Sequence, residues 1–252
     1  MPALRIIPCL DVKDGRVVKG VKFQNLQDVS EPVPLSRKYF EQGADEITIL
    51  DISASLEGRL AIIDVIEQCA NEIFVPLTVG GGIRSVAEVK TLLAAGADKV
   101  SVGSAGITDQ NLISEIAMSF GSQVVVVSLD VKRGPARSGF VLTRLGGTED
   151  TGIDALTYIG QLSDRGAGEL LVNSIDADGT QQGFDVELMR LVREATDLPV
   201  IASGGAGNLE DFVEAAQCGA NALLAASVFH SGALNIGQVK VALQNAEVEV
   251  RL

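Results

Sequence analysis

The segment Leu10-Asp11-Val12-Lys13 occurs a second time as Leu129-Asp130-Val131-Lys132, a separation of 119 residues from position 11 to position 130. A second motif behaves in the same way. Thr78-Val79-Gly80-Gly81-Gly82 has its counterpart in Ile201-Ala202-Ser203-Gly204-Gly205, with 123 residues between position 82 and position 205. Internal similarity at a nearly constant offset indicates a fold built from repeated structural units. The two copies predict two similar halves, about residues 1–120 and 121–252.

Short β-branched segments alternate with segments of helical periodicity along the whole chain. This alternation is typical of βα units and of a parallel sheet. The eight predicted strands are Leu4–Leu10, Glu46–Leu50, Phe74–Val79, Lys99–Gly103, Gln123–Asp130, Glu169–Asn173, Pro199–Ser203 and Ala222–Ala225. Such barrels form one core at about 250 residues. The sequence therefore predicts an α/β fold, a (β/α)8 TIM barrel that occupies residues 1–252 as one domain.

Composition and charge exclude several classes of function. The formal net charge of −13 argues against nucleic-acid or anionic-membrane partners, because both need clustered Lys and Arg. No apolar run approaches the roughly 18 residues that a bilayer requires, and Met1 leads into a strand rather than a signal sequence. Three widely spaced cysteines suggest neither disulfides nor zinc. We expect a cytoplasmic protein without a metal or a cofactor.

The repeated glycine motifs predict two anion sites. In a (β/α)8 barrel, a phosphate commonly binds after strands seven and eight, where glycines allow close approach of the backbone. The residues at those positions are Ser203, Gly204, Gly205, Ala226 and Ser227. The segments Gly80–Gly82 and Gly103–Ser104 occupy the equivalent positions half a barrel away. Tight turns alone would also explain a single Gly-Gly pair, but two such sites across one barrel mouth predict a ligand with a phosphate at each end.

Asp11 and Asp130 end the first and fifth predicted strands, which face each other across the barrel. Apolar residues precede both, so each is either a structural hydrogen-bond acceptor or a general acid or base. Their equivalent positions at the catalytic face of the barrel favour catalysis. The middle of a bis-phosphate would then lie between them.

Further polar residues are expected near this ligand. They follow predicted strands or lie in the long first loop, and they are Lys19, Asp51, Asn173, Ser174, Asp176, Asp178 and Gly179. The segment Asp176–Thr180 lacks the later oxygen ligands of a calcium loop, so it is interpreted as a loop that faces the ligand. His230 is the only histidine and has no repeat partner, which favours a helix-terminal or surface position over catalysis.

Four charged residues stand at the beginnings of predicted strands, at the opposite end of the barrel: Arg5, Glu46, Lys99 and Glu169. Two cations and two anions in one ring would neutralise each other and close the barrel floor. The alternative is that each side chain points outward to water, and spacing alone does not decide between the two.

The opening segment Arg5–Gly20, with the sequence RIIPCLDVKDGRVVKG, resembles the cyclase subunit of imidazole glycerol phosphate synthase in histidine biosynthesis. The resemblance extends over nearly the whole chain and includes Thr78–Ile83, Ser174–Thr180, Ile201–Gly207 and Ala225–His230. It implies a (β/α)8 barrel whose substrate is phosphoribulosyl-formimino-aminoimidazole carboxamide ribonucleotide, which carries two phosphates. The implied products are imidazole glycerol phosphate and aminoimidazole carboxamide ribonucleotide.

The resemblance also implies roles for particular residues. Asp11 and Asp130 match the acid/base pair of the family, and Lys19 matches a lysine in its flexible loop. The residues that match its phosphate contacts are Gly82, Ser104, Gly205, Ala226 and Ser227. Ammonia would come from a glutaminase subunit bound at the N-terminal face of the barrel, through a gate formed by Arg5, Glu46, Lys99 and Glu169.

Two alternatives remain at this point. Val127–Asp130 is also similar to the sister isomerase of the same pathway, which shares both aspartates and both phosphate sites. The second alternative is a barrel that binds bis-phosphates without turnover. It is suggested by Gly103, which replaces the Asn usual in the family, and by the loop Thr143–Thr151, which departs from the family pattern.

Overall fold

A computed structural model describes residues 3–21, 24–57 and 60–251 of the chain. Eight parallel strands pair in chain order, and the last pairs with the first, so that they close a barrel. These strands, β1 to β8, are Arg5–Lys13, Ile47–Asp51, Leu77–Gly80, Lys99–Val102, Val125–Arg133, Glu169–Ser174, Val200–Ser203 and Ala222–Ala225. Each of them overlaps one of the eight predicted strands. The predicted (β/α)8 barrel is confirmed.

Helices surround the barrel and cover its strands. They are Pro32–Glu41, Ala54–Glu57, Ile63–Ala70, Val86–Ala94, Ser104–Thr108, Asn111–Phe120, Ala155–Ile159, Val186–Ala195, Leu209–Gln217, Ser227–His230 and Ile236–Asn245. The helical periodicity of residues 62–73 is confirmed, because helix Ile63–Ala70 buries Ile66 and Cys69 against the core. Among the described residues, no helix combines the length and the apolar character that crossing a membrane requires.

Local capping signals show why two of these helices begin and end at equivalent places. The Ser85 hydroxyl accepts from the Glu88 N–H at the start of helix Val86–Ala94. Asn208, at the equivalent position 123 residues later, forms a complete capping box with Asp211. Unsatisfied N–H groups at a helix start favour such residues. Each helix is followed by a glycine with positive φ, Gly96 at 104° and Gly219 at 90°.

Two antiparallel hairpins rise from the C-terminal rim of the barrel and were not predicted. Strands Arg16–Val21 and Gln24–Ser30 follow β1, and strands Phe140–Arg144 and Glu149–Asp154 follow β5. The interpretation of these segments as loops was wrong. Both hairpins extend strands that are already fixed by the barrel, and short polar strands of this kind carry little periodicity of their own.

Apolar side chains form two cores because successive residues of a strand point to opposite sides. The larger core lies between strands and helices. The smaller core fills the inside of the barrel and consists of Ile7, Cys9, Val126, Leu171, Ile201, Ala222, Leu224 and Ala226. It separates the charged N-terminal end of the barrel from the C-terminal rim, where the candidate site lies.

Candidate active site

The C-terminal ends of the strands surround an open cavity of about 1140 Å³. Most of the residues that the sequence predicts for catalysis or ligand binding line it: Asp11, Lys19, Asp51, Gly82, Ser104, Asp130, Asn173, Asp178, Gly179, Ser203, Gly204, Gly205, Ala226 and Ser227. A volume of this order is sufficient for a metabolite-sized ligand, since small-molecule pockets span about 300–1,000 Å³. The fold therefore brings these residues together, while their individual roles stay predictions.

Two glycine turns on opposite sides of the cavity need the absence of a side chain. Gly81 has φ of 120°, and a Cβ there would lie 2.5 Å from the Asp51 carbonyl oxygen. Gly205 has φ of 102°, and its Cβ would lie 1.9 Å from the Gly183 carbonyl oxygen. A non-bonded carbon cannot approach a carbonyl oxygen this closely. Tight backbone packing thus explains both glycines, and it also leaves the backbone open towards the cavity.

A short helix adjoins each glycine turn, and the two helices are equivalent. Ser104 begins helix Ser104–Thr108 after β4, and Ser227 begins helix Ser227–His230 after β8. We call Gly82, Gly103 and Ser104 the first anion site. We call Gly205, Ala226 and Ser227 the second anion site. The repeat offset of 123 residues therefore has a structural counterpart, with the two sites half a barrel apart.

Asp11 lies on β1 and is paired with a cation. Lys19 Nζ donates to Asp11 Oδ2 at 3.3 Å and lies 3.7 Å from Asp178 Oδ1. Burial alone would lower the pKa of the Lys19 ammonium, but the two carboxylates outweigh burial and raise it above its usual value. The Cys9 thiol donates to Asp11 Oδ1, with 3.6 Å between sulfur and oxygen. Lys19 lies on the first hairpin rather than in a loop, and it is paired rather than solvated.

Asp130 lies on β5, and its described hydrogen-bond partner is a side-chain amide rather than a cation. Asn173 Nδ2 donates to Asp130 Oδ1 at 3.1 Å, and the Ser203 hydroxyl donates to Asn173 Oδ1 at 3.1 Å. Burial raises the pKa of Asp130 from 3.8 to about 6. The Asn173 hydrogen bond opposes this rise, and the negative charges of Asp178 and Asp11 add to it. The two symmetry-related carboxylates thus have different hydrogen-bond partners, an ammonium for Asp11 and an amide for Asp130.

The remaining strand-end residues differ in where they point. Asp178 lines the cavity, and burial raises the pKa of its carboxyl. Asp51 also lines the cavity, while its Oδ1 accepts from the Ser53 and Ala54 N–H groups. Ser174 and Asp176 do not belong to the lining. Ser174 donates to Asp185, and Asp176 accepts from the Arg133 N–H, so these two residues fix the β6 loop.

Sequence reasoning missed Arg144. It ends the first strand of the hairpin after β5 and lines the cavity beside Ser104 and Thr108. A single arginine without a repeat partner gave no signal, and its contribution depends on a hairpin that the sequence did not predict.

His230 closes helix Ser227–His230, as the predicted helix-terminal position requires. It is largely enclosed rather than at the surface: its Nδ1 lies 2.6 Å from the Tyr39 hydroxyl, and burial lowers its pKa to about 4. Within the part of the chain that the structure describes, no cluster of three or more His, Cys, Asp or Glu side chains could hold a metal ion.

At the opposite end of the barrel, the four charged residues point inward and form a closed ring of ion pairs. Arg5 pairs with Glu46, with Nη1 and Oε2 2.7 Å apart, and also with Glu169. Lys99 Nζ lies 2.9 Å from Glu46 Oε2 and 3.0 Å from Glu169 Oε2. The alternative of four outward-pointing side chains is wrong. Each carboxylate is shared between two cations, which offsets part of the cost of its burial.

The closed barrel and its single rim of glycine turns and opposed carboxylates define an enzyme of the (β/α)8 class. A family model described as histidine biosynthesis protein matches residues 5–235, and the chain belongs to this family. The chain is 57% identical over 250 residues to imidazole glycerol phosphate synthase subunit HisF of Leifsonia xyli subsp. xyli, covering 99% of this chain and 98% of that protein.

Two further relatives carry the same name. The chain is 56% identical to the HisF subunit of Cutibacterium acnes, covering 99% of this chain and all of that protein, and 54% identical to that of Thermobifida fusca, covering 99% of both. Identity at this level over the full length confirms the resemblance inferred from Arg5–Gly20. It favours the cyclase over the isomerase and the inactive barrel.

Proposed function

We propose that this protein is the cyclase subunit of an imidazole glycerol phosphate synthase. It uses ammonia to cleave and cyclise phosphoribulosyl-formimino-aminoimidazole carboxamide ribonucleotide, giving imidazole glycerol phosphate and aminoimidazole carboxamide ribonucleotide. The observation that carries the proposal is one cavity whose wall contains both Asp11 and Asp130 and the two glycine turns at which we place the phosphates. Full-length relatives with the cyclase name support the choice of substrate.

In this proposal the unequal surroundings of the two aspartates divide the proton transfers between them. Among the described residues, the hydrogen-bond partner of Asp130 is an amide and not a cation, and with a pKa of about 6 a minor fraction of the molecules still carries its proton at neutral pH. It acts as the general acid. Asp11, paired with the Lys19 ammonium at 3.3 Å, acts as the general base. Paired carboxylates in different environments commonly divide acid and base roles in this way.

The two anion sites hold the ends of the substrate, and the positioning residues fix its middle. Gly82 and Ser104 bind one phosphate, and Gly205, Ala226 and Ser227 bind the other, assisted by the turn residues Ser203, Gly204 and Gly179. Asn173 orients Asp130 through the bond from its amide. Lys19 lies between Asp11 and Asp178, and Asp51 forms part of the cavity wall. Holding both ends of the ligand places the reacting atoms between the carboxylates.

Ammonia enters this enzyme from the other end of the barrel. The ring of Arg5, Glu46, Lys99 and Glu169 closes that end, and the small inner core lies between the ring and the rim. A glutaminase subunit docks on the N-terminal face and supplies ammonia through the ring. The relatives are named as subunits, which supports an assembly of this kind.

We propose further that residues 1–252 form one domain of two halves and that the protein works in the cytoplasm. Three free cysteines, Cys9, Cys69 and Cys218, suit a reducing compartment.

A direct assay tests the proposal. Purified protein is incubated with the bis-phosphate substrate and ammonium at alkaline pH, and loss of substrate and formation of both products are followed by chromatography. Turnover with ammonium alone is expected, because the acid/base pair belongs to this chain. Absence of both products would overturn the cyclase assignment, and conversion of the isomerase substrate instead would indicate the sister activity.

A further inference from the structure

The guanidinium of Arg144 is held next to the first anion site. Its Nη1 donates to Thr108 Oγ1 at 2.8 Å, and Thr108 belongs to the same short helix as Ser104. The next residue along the chain, Leu145, donates its backbone N–H to Ser104 Oγ at 3.0 Å. The side chain of Arg144 therefore lies about one helical turn from Ser104, at the wall of the cavity.

The hydrogen-bonding capacity of Arg144 is only partly used. Its Nη2 pairs with Glu149, whereas its Nε is buried and donates to no acceptor among the described residues. A guanidinium carries five N–H donors in a planar fork that matches a phosphate. A buried donor without an acceptor is unfavourable, so an anion that reached this group would gain a strong, charge-assisted bond.

Glu149 is a replaceable partner. It lies on the second strand of the same hairpin, and 45% of its side chain is exposed to solvent. An exposed ion pair contributes about 1 kcal/mol or less. A doubly charged phosphate that accepts two hydrogen bonds from the same guanidinium competes favourably with it.

The cations along the cavity are distributed unequally between the two anion sites. The lysines and arginines of the described lining are Lys13, Lys19, Arg84 and Arg144, and all of them precede residue 150. Lys19 is bound to Asp11 and Asp178. The second anion site thus relies on backbone and hydroxyl groups, whereas the first has a side-chain cation within reach.

We propose that Arg144 is a substrate-binding residue of the first anion site and that a phosphate of the ligand replaces Glu149 as its partner. For the identity of the ligand this rests on the proposed function, but the site itself can be tested with inorganic phosphate. The residue acts on binding rather than on proton transfer, because its side chain bonds Thr108 and Glu149 rather than either of the two aspartates.

Three variants separate this role from a structural one. Arg144→Gln removes the cation, and Glu149→Gln removes its competitor. Arg133→Gln is the matched control, since Arg133 also pairs with two carboxylates, at 2.6 Å from Asp185 and 2.7 Å from Glu187, but does not line the cavity.

Titration with inorganic phosphate, followed at the amide NMR signals of Gly82 and Ser104 and of Gly205 and Ser227, measures the two sites separately. Arg144→Gln is expected to raise the Kd of the first site about 10- to 100-fold, the loss typical of a hydrogen bond to a charged group. The second site should change by less than about twofold. Glu149→Gln should lower the Kd of the first site, and Arg133→Gln should leave both sites unchanged.

Steady-state kinetics with the bis-phosphate substrate and ammonium give the second readout. Arg144→Gln should raise KM by a similar factor with kcat changed less than about threefold. Equal phosphate affinity in Arg144→Gln and Arg133→Gln would overturn the proposal, as would weaker binding in Glu149→Gln, because the pair would then only shape the hairpin. If the unmodified protein shows no turnover, the proposed function fails, and the phosphate titration still decides the role of Arg144.

Discussion

The two halves of the barrel share their backbone plan and differ in what surrounds each aspartate. Asp11 and Asp130 lie near the C-terminal ends of equivalent strands, and a hairpin follows each strand. In the first half, a lysine on that hairpin reaches Asp11 at 3.3 Å. In the second half, the partner of Asp130 is the amide of Asn173, on the neighbouring strand β6. A repeated fold has therefore placed two carboxylates symmetrically, and unrepeated neighbours have given them different surroundings.

The anion sites show the same contrast. Both consist of a glycine turn and the start of a short helix, but only the first anion site has a described arginine side chain, Arg144, bonded to its short helix. Symmetric backbone can bind both ends of a two-phosphate ligand. Asymmetric side chains are needed to orient such a ligand, because a symmetric cavity would accept it in either direction.

The largest expected effect is the loss of catalytic turnover when the aspartate of either half is replaced. Asp11→Asn and Asp130→Asn should each lower kcat about 10³-fold while the protein remains folded, because loss of a general acid or base typically costs 10²- to 10⁴-fold. Turnover with ammonium and the circular dichroism spectrum are measured for each variant. Near-wild-type kcat in either variant would remove that aspartate from the mechanism.

The glycine turns provide the next largest effect. Gly81→Ala and Gly205→Ala should each lower the free energy of unfolding by about 3 kcal/mol or more, since the new Cβ meets a carbonyl oxygen at 2.5 Å or 1.9 Å. Gly43→Ala is the control: its φ is 85°, but nothing lies within 4 Å of the added carbon, so about 1 kcal/mol is expected. Denaturant unfolding measures all three. Equal losses would show that φ alone, and not close approach, explains the turns.

The pH dependence of stability sharpens the contrast between the aspartates. Asp130 titrates near 3.8 when unfolded and near 6 when folded, so its contribution to stability is present below pH 4 and is lost as pH rises through 6. The free energy of unfolding of Asp130→Asn should therefore be about 3 kcal/mol higher than that of the wild type at pH 7.5, with little difference at pH 4. Thermal or urea unfolding at both pH values tests this.

Asp11→Asn should behave in the opposite way at pH 7.5, because it leaves the largely buried Lys19 with one carboxylate fewer. A stabilised Asp11→Asn variant, or an Asp130→Asn variant without a pH-dependent gain, would contradict the electrostatic difference between the halves.

The smallest effect concerns a residue that makes the halves differ. Gly103 occupies the place of Ala226, and a Cβ at Gly103 would lie 2.9 Å from Ser128 Oγ. Gly103→Ala should lower the free energy of unfolding by about 1 kcal/mol or less, because a hydroxyl can rotate away. Adding Ser128→Ala should restore the loss. If the double variant is no more stable than Gly103→Ala, the contact with Ser128 does not cause the loss of stability.

Sequence periodicity and repetition were sufficient for the barrel, the glycine turns and the opposed aspartates. Strands and helices alternate because each helix covers the parallel sheet, and eight βα units in about 250 residues are typical of a closed barrel. The chain therefore encodes which residues reach the C-terminal rim, as the lining of the cavity shows for Asp11, Asp130, Gly82 and Gly205.

Only the tertiary structure decided the contacts that give these residues their chemistry. A hairpin that the sequence did not predict brings Lys19 to Asp11. The other contacts join residues that are distant in sequence: Asn173 with Asp130, and Arg5 and Lys99 with the carboxylates inside the barrel. The local sequence pattern indicates which face of a strand or helix a residue occupies. Charge partners and desolvation depend on which distant elements meet there, and for that reason protonation states required the folded barrel.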